Sequence, residues 1–319
     1  MAPAIDIHEL TKDFPVGFWR PRPYRALDRL TLVVEPGEVF GFLGPNGAGK
    51  TTTLKLLMQL VFPTSGHASI LGRPVGDLDV RRRIGFLPEN PYFYDNLTAE
   101  ELLHYFAGLF DMPSAERARR VSDLLDQVGL GAERRLQLRK YSKGMVQRVG
   151  IAQALINEPE VIFLDEPMSG LDPLGRRDIR ALILGLRDAG KTIFFSSHIL
   201  TDAETLCGRV AIVVGGRLAT SGRLAEMAGY QVRGWEVVMA EVSQTLLEQS
   251  AGRAVKATPV SPARFAFELS NQTRPEGFIA DLAAAGAVLV SVNPLHTTLE
   301  DIFVQQVAQT RSAREGVLS

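Results

Sequence analysis

The chain has 319 residues, 45% hydrophobic and 22% charged, which suits about two domains with sizeable cores and excludes collagen-like, disulfide-scaffold and mostly disordered classes. Thirty-five basic and 36 acidic residues leave a formal charge of −1, so no global field favours nucleic acid or an anionic membrane, and any basic contact is local. The single cysteine, Cys207, can form neither an internal disulfide nor a metal cluster; it fits a reducing compartment and reads as a small buried hydrophobe. The N-terminus lacks a cationic start and an apolar run of signal-peptide length, and no run of about 18 apolar residues occurs anywhere. A membrane-spanning part, if the function needs one, is expected on another polypeptide.

Taken in chain order, β-branched and aromatic runs alternate with helical patterns: a strand at 38–43, a helix from Lys50, and strands at 161–164, 192–196 and 209–214. That alternation predicts an α/β domain with a parallel sheet and flanking helices, over about residues 1–225. Between 86 and 157 strand signals thin out. Thr98 with Glu101 reads as a capping box before the apolar face of Leu102, Leu103, Phe106 and Phe110, and 116–128 repeat the helical period, so this stretch is predicted to be a helical subdomain. After the hairpin-like turn Gly215-Gly216, residues 222–234 read as a connector. Strand patterns at 235–242, 254–259, 264–269 and 287–292, with helical patterns near 245–250 and 277–285, then give the order β-α-β-β-α-β. This predicts a small α+β, ferredoxin-like domain over 230–308, closing with a helix at 298–308 that Thr298 can cap. A flexible polar tail is expected at 309–319.

Gly44-Pro45-Asn46-Gly47-Ala48-Gly49-Lys50-Thr51 matches the phosphate loop G-x-x-x-x-G-K-[ST], set between a strand and a helical run beginning at Thr52. Glycines let backbone N–H groups turn inward around phosphate oxygens, and the helix N-terminus adds its dipole. Lys50 is placed to reach the β- and γ-phosphates, and Thr51 to hold Mg²⁺. The apolar strand 161–164 ends in Asp165 and Glu166. Asp165 suits Mg²⁺, and Glu166, pointing the other way, suits a general base or water positioner. A surface glycine turn and a solvated strand end are the bland alternatives, and the pairing of the two motifs argues against both.

The remaining motifs form an ordered set over about residues 4–225. Tyr141-Ser142-Lys143-Gly144-Met145, with Gln147-Arg148, resembles the signature segment of ATP-binding cassette (ABC) transporter nucleotide-binding subunits. Ser169-Gly170-Leu171-Asp172 resembles their D-loop, His198 stands at the switch histidine, and Glu89 occupies the Q-loop position. Phe14 is the best match to the aromatic that stacks on adenine, with Phe18, Trp19 and Tyr24 as alternatives. Lys143 and Met145 depart from the common signature, while Ser142 and Gly144 remain. Glu89 for glutamine, with this signature form, resembles exporter-type cassettes whose permease is a separate subunit.

The resemblance implies a P-loop NTPase fold and two chains closing head to tail around two Mg-ATP. Gly44, Asn46, Gly47, Ala48, Gly49, Lys50, Thr51 and Thr52 of one chain would hold the nucleotide. Thr51, Asp165 and Glu89 would serve the metal, and Glu166, His198 and Lys50 the chemistry, facing Ser142 and Gly144 of the other chain. Asp172 would link the two sites. The expected protein is a homodimeric ATPase on the cytoplasmic face of the membrane, driving a permease and binding no nucleic acid. The alternatives are a soluble cassette ATPase acting on nucleic acid, ribosomes or cofactor assembly, and a nucleotide-dependent regulator with little turnover. Pro91-Tyr92-Phe93-Tyr94 lies where the resemblance implies a permease contact, with core packing as the rival reading. Arg81-Arg82-Arg83 and Arg134-Arg135 read as solvated faces.

Overall fold

The computed structural model describes residues 2–17, 19, 22–227, 232–250, 252–296 and 298–315. Phe18 and part of the 222–234 connector lie outside them. The described residues divide into two compact units, 1–224 with 305–319, and 225–304.

The first unit opens with strands β1 (Ile5–Val16), β2 (Arg22–Val34) and β3 (Val39–Leu43), then helix α1 (Lys50–Leu57). Strands β4 (Ser65–Ile70) and β5 (Arg73–Pro74), helix α2 (Leu78–Arg81) and strand β6 (Ile84–Leu87) follow. The helical stretch comprises α3 (Ala99–Gly108), α4 (Ser114–Gln127), a 3₁₀ turn at Leu138–Lys140 and α5 (Lys143–Ala154). The chain then returns through β7 (Val161–Asp165), α6 (Pro173–Asp188), β8 (Thr192–Ser197), α7 (Leu200–Leu206), β9 (Arg209–Val214) and β10 (Arg217–Arg223).

Two sheets result. The larger has the order β10-β9-β3-β8-β7-β6, parallel except for β10, which makes an antiparallel hairpin with β9 at one edge. Strands β3, β7 and β8 are buried at every residue, as expected of strands covered on both faces. The smaller sheet, β2-β1-β4-β5, is antiparallel and was not anticipated from the sequence. Its signal was the alternation Ile5/Ile7 and Leu30/Leu32/Val34, all buried, diluted by the polar outer halves of two long strands. Both sheets contribute to one core that also holds Leu54 and Leu57 of α1.

Strand β6 also corrects the expected boundary, since Ile84–Leu87 pairs in parallel with β7 and the helical stretch begins after it. A glycine inside the strand hid it. Gly85 is required there because a Cβ would collide with the Ala154 carbonyl at the end of α5. The Thr98–Glu101 capping box is formed in both directions. Arg83 pairs with Glu160 and Arg134 with Asp126, so these arginines are surface ion pairs. Cys207 is buried, and desolvation pushes its thiol well above the ordinary range.

The second unit holds β11 (Val232–Ala240), α9 (Gln244–Ser250), β12 (Lys256–Ser261), β13 (Arg264–Ser270), α10 (Pro275–Ala284) and β14 (Val288–His296), preceded by α8 (Leu224–Met227). Its antiparallel sheet has the order β12-β13-β11-β14, a β-α-β-β-α-β unit with the first strand central. Its core centres on Val237, Met239, Phe267, Leu269 and Phe278. The last helix, α11 (Leu299–Glu315), is capped by Thr298, whose hydroxyl accepts the Asp301 amide at 3.1 Å. It continues seven residues past the expected end at 308, so 309–315 are helical rather than a flexible tail; polar composition does not by itself end a helix.

Phe194 of β8 lies at the centre of the larger sheet, with ring centroids 5.7 Å from Phe40, 5.2 Å from Phe42 and 5.8 Å from Phe163. Phe194→Ala is expected to cost about 3–5 kcal/mol, read as a fall in denaturation midpoint at unchanged slope.

Candidate functional site

Because β3, β8 and β7 are adjacent and parallel, everything that follows their C-terminal ends converges on one crevice. The loop after β3 and the first turn of α1 deliver residues 44–51, the end of β7 delivers Asp165 and Glu166, and the end of β8 delivers His198. A cavity of about 370 Å³ opens over the loop, lined by Asn46, Gly47, Gly49, Lys50, Thr51, Thr52, Glu89 and Glu166 together with Tyr24 and Ala26.

The loop is shaped by its backbone. Gly49 takes φ 105° at the N-cap of α1, a left-handed conformation that favours glycine, and a Cβ there would press on the Ala26 carbonyl. The Gly44 amide donates to the Ser197 carbonyl at 3.3 Å, which ties the loop to β8, and buried Ala48 donates to the Pro45 carbonyl at 3.1 Å.

Lys50 is 5% exposed, and its Nζ donates to the carbonyls of Gly44 at 2.8 Å and Pro45 at 3.4 Å while lying 3.2 Å from Glu166 Oε1. The other Glu166 oxygen, Oε2, is 2.8 Å from His198 Nδ1. Glu166 reaches both because its backbone sits at φ 49°, a left-handed conformation unusual for a side chain of this size. Its amide is pinned there by the Ser196 carbonyl at 3.2 Å and the Ser196 hydroxyl at 3.1 Å.

Asp165 turns the other way. Its Oδ1 accepts from the Ser196 hydroxyl at 2.6 Å and faces the Thr51 hydroxyl at 3.5 Å. Desolvation raises its carboxyl above the usual carboxylate range, against the hydrogen bonds from Ser196 and Thr51. One hydroxyl and one buried carboxylate are hard oxygen donors, and among the described residues no group of three or more acids, histidines or cysteines is arranged to hold a metal ion by itself. That donor set fits Mg²⁺, which takes few protein ligands and completes its shell with phosphate oxygens and water. Glu89 is exposed on the cavity wall, on the side where the resemblance implies a metal role.

Other expected residues lie elsewhere. Ser142 caps α5, accepting the Met145 amide at 3.3 Å, and is exposed; neither it nor Gly144 lines the cavity. The Asp172 carboxylate caps α6, accepting the Gly175 amide at 2.7 Å. Lys143, which stands where the common signature has glycine, lays its ammonium against Gly170 of the D-loop. Phe14 does not line the cavity either: it is half-buried, with Lys12 Nζ 4.9 Å above its ring. Tyr24 is directly opposite Phe14 across β1 and β2, so the two rings share a face, and it is Tyr24 that borders the cavity.

A crevice with a glycine-shaped anion loop, a buried lysine, a metal-suited hydroxyl–carboxylate pair and a base held beside a histidine is built for phosphoryl chemistry. Comparison with known proteins agrees. Residues 27–169 match the family model described as ABC transporter. An uncharacterized ABC transporter ATP-binding protein of Synechocystis is 44% identical over 97% of this chain and 86% of its own length. The chain belongs to the ABC transporter ATP-binding proteins. The cassette is also 35% identical to a Nod factor export ATP-binding protein of Cupriavidus metallidurans, over 88% of this chain and 91% of that one. Among solved structures, the dimeric post-hydrolysis state of the cassette MJ0796 with ADP and Pi matches at TM-score 0.63 and 28% identity, covering 69% of this chain and 98% of that one. The protein is thus an ABC ATPase with a P-loop NTPase fold that binds and hydrolyses ATP.

Burial of Asp165 has a consequence for stability. A carboxyl whose pKa is raised on folding contributes stability that is present below the unfolded value of about 3.9 and lost as pH rises through the folded value. Near neutral pH the ionised Asp165 therefore works against the fold when no cation is bound. Asp165→Asn is expected to raise the thermal midpoint of the metal-free protein by about 2 °C at about pH 7.5, with the gain shrinking toward about pH 4.

Proposed function

We propose that this cassette is the ATP-hydrolysing subunit of an exporter, acting as a homodimer closed around two Mg-ATP on the cytoplasmic face of a membrane, where it drives a separate permease. The observation that carries the dimer is the separation within one chain. Lys50, Thr51 and Glu166 share a cavity, while Ser142 and Gly144 stand outside it on the exposed start of α5. The N-terminus of that helix, with the Ser142 turn, can present N–H groups to a γ-phosphate held by a second copy.

The chemistry follows from the contacts. A nucleotide's β- and γ-phosphates offer Lys50 stronger acceptors than the neutral carbonyls of Gly44 and Pro45, and capturing Lys50 frees Glu166 Oε1. Glu166, still held by His198, can then accept a proton from the attacking water. His198 is placed to hydrogen-bond the γ-phosphate and to register its loss. Bound at Thr51 and Asp165, Mg²⁺ would supply charge neutralisation at the phosphates. ATP binding closes the pair and hydrolysis reopens it, which is the movement a permease would use.

The permease side of the reading rests on the surface. No described helix is long and apolar enough to cross a membrane. Tyr92 is 96% exposed and Tyr94 67%, just past Glu89, while Phe93 between them reaches back toward Gly150 of α5. Core packing therefore does not explain the two tyrosines, and a partner surface does. Exposed Tyr24, with Phe14 beside it, is the ring we assign to adenine stacking. The segment 230–308 is assigned an accessory role in dimer support or regulation. The export direction draws on the Nod factor relative.

An affinity pull-down of tagged Glu166→Gln protein with Mg-ATP from detergent-solubilised host membranes tests the reading. Recovery of a multi-helix membrane protein, reduced when Tyr92 and Tyr94 are both changed to Ser, is expected. Recovery of only soluble partners or nucleic acid would point to the soluble-ATPase alternative.

A further inference from the structure

Three charged residues close to the site take no part in the chemistry above: Arg176 and Arg180 on α6, and Asp202 on α7. Asp202 is 2% exposed, and its Oδ2 has no hydrogen-bond partner, nor does Arg180 Nε, which stands 3.8 Å from Asp202 Oδ1. A buried carboxylate at ion-pair distance with one oxygen left unpartnered is costly, so its retention calls for a reason.

The surroundings supply one. Arg176 and Arg180 are one helical turn apart, so both stand on the same side of α6. Arg176 Nε donates to the Leu171 carbonyl at 3.3 Å, which fastens it to the D-loop segment Ser169–Asp172 just before α6. Asp202 lies four residues after His198, in the first turn of α7. The carboxyl is pushed up by desolvation and drawn back by Arg176 and Arg180, with Glu166 and His198 also within its electrostatic reach. One side of α6 therefore holds the Leu171 carbonyl through Arg176 and faces Asp202 through Arg180, and the start of α7 leads from Asp202 to His198 and its 2.8 Å contact with Glu166.

We propose that Asp202 is a positioning residue for the ATPase reaction: paired with Arg180 of the D-loop helix, it fixes the start of α7 and so sets His198 against Glu166. The loose 3.8 Å pair with two unfulfilled polar atoms leaves room to tighten when the D-loop moves, which lets a change at the D-loop reach the histidine. Asp202 touches no nucleotide-binding residue of the phosphate loop, so its effect falls on turnover and not on ATP affinity. This inference rests on the assignment of His198 and Glu166 above.

The test is the steady-state ATPase of Asp202→Asn, paired with NMR of ring-labelled histidine. The chain has five histidines, so His198→Ala assigns the one resonance of interest. Expected is a fall in kcat of about tenfold with KM for ATP within about twofold, together with a displaced His198 ring resonance and four unmoved ones. Arg180→Gln, which acts from the opposite helix, should reproduce both effects and keeps the question answerable if Asp202→Asn does not fold. Unchanged kcat, an unmoved His198 resonance, or a loss carried by KM would overturn the proposal. Wild-type protein that binds ATP without hydrolysing it would instead count against the assignment of Glu166 and His198.

Discussion

The site turns on the placement of one buried carboxylate, that of Glu166. Glu166 is 7% exposed, strained into a left-handed conformation and held between Lys50 and His198. Such a group is stable only when its charge is matched, and both partners are groups that phosphate can claim. On the proposed reading, the resting arrangement holds the base of the reaction behind a Lys50 contact that nucleotide binding would rearrange. The strain at residue 166 is over-determined by Ser196, whose carbonyl and hydroxyl both accept the Glu166 amide while the same hydroxyl donates to Asp165. Ser196 therefore aims two acids in opposite directions from one strand end.

Sheet topology makes this possible. With β3, β8 and β7 side by side, three chain segments remote in sequence end within reach of each other, and buried aromatic packing around Phe194 keeps their spacing rigid. What the sheet cannot do is bring the start of α5 over its own phosphate loop. On the proposed reading, that limit makes each cassette a half-site and assembly of two chains part of the chemistry.

Legibility in the sequence divides along the same line. Lys50, Thr51, Asp165, Glu166 and His198 were readable because each sits at a fixed offset from a strand end, and the strands announce themselves as unbroken apolar runs. The order β-α-β-β-α-β in the second unit was readable from alternating or apolar runs set between two helical patterns. Tyr24 was only one alternative among four, because its place opposite Phe14 depends on the β1–β2 register, which no local pattern encodes. The antiparallel sheet was missed because its strands carry polar residues along much of their length. Asp202 and Arg180 gave no signal at all: helix-to-helix packing creates their pairing, and neither belongs to a motif. The polar stretch 309–315 misled in the opposite direction, since its composition suits a solvated helix as well as a tail.

The central claim is that each catalytic site is shared between two chains. Mixing Glu166→Gln protein with Ser142→Arg protein, each inactive alone, tests it directly. If one chain supplies the base and the other the signature, random pairing leaves one intact site in half of the dimers, and the 1:1 mixture should recover about a quarter of the wild-type ATPase rate. If a single chain contained a whole site, every site in the mixture would carry a defect, and no recovery would contradict the account.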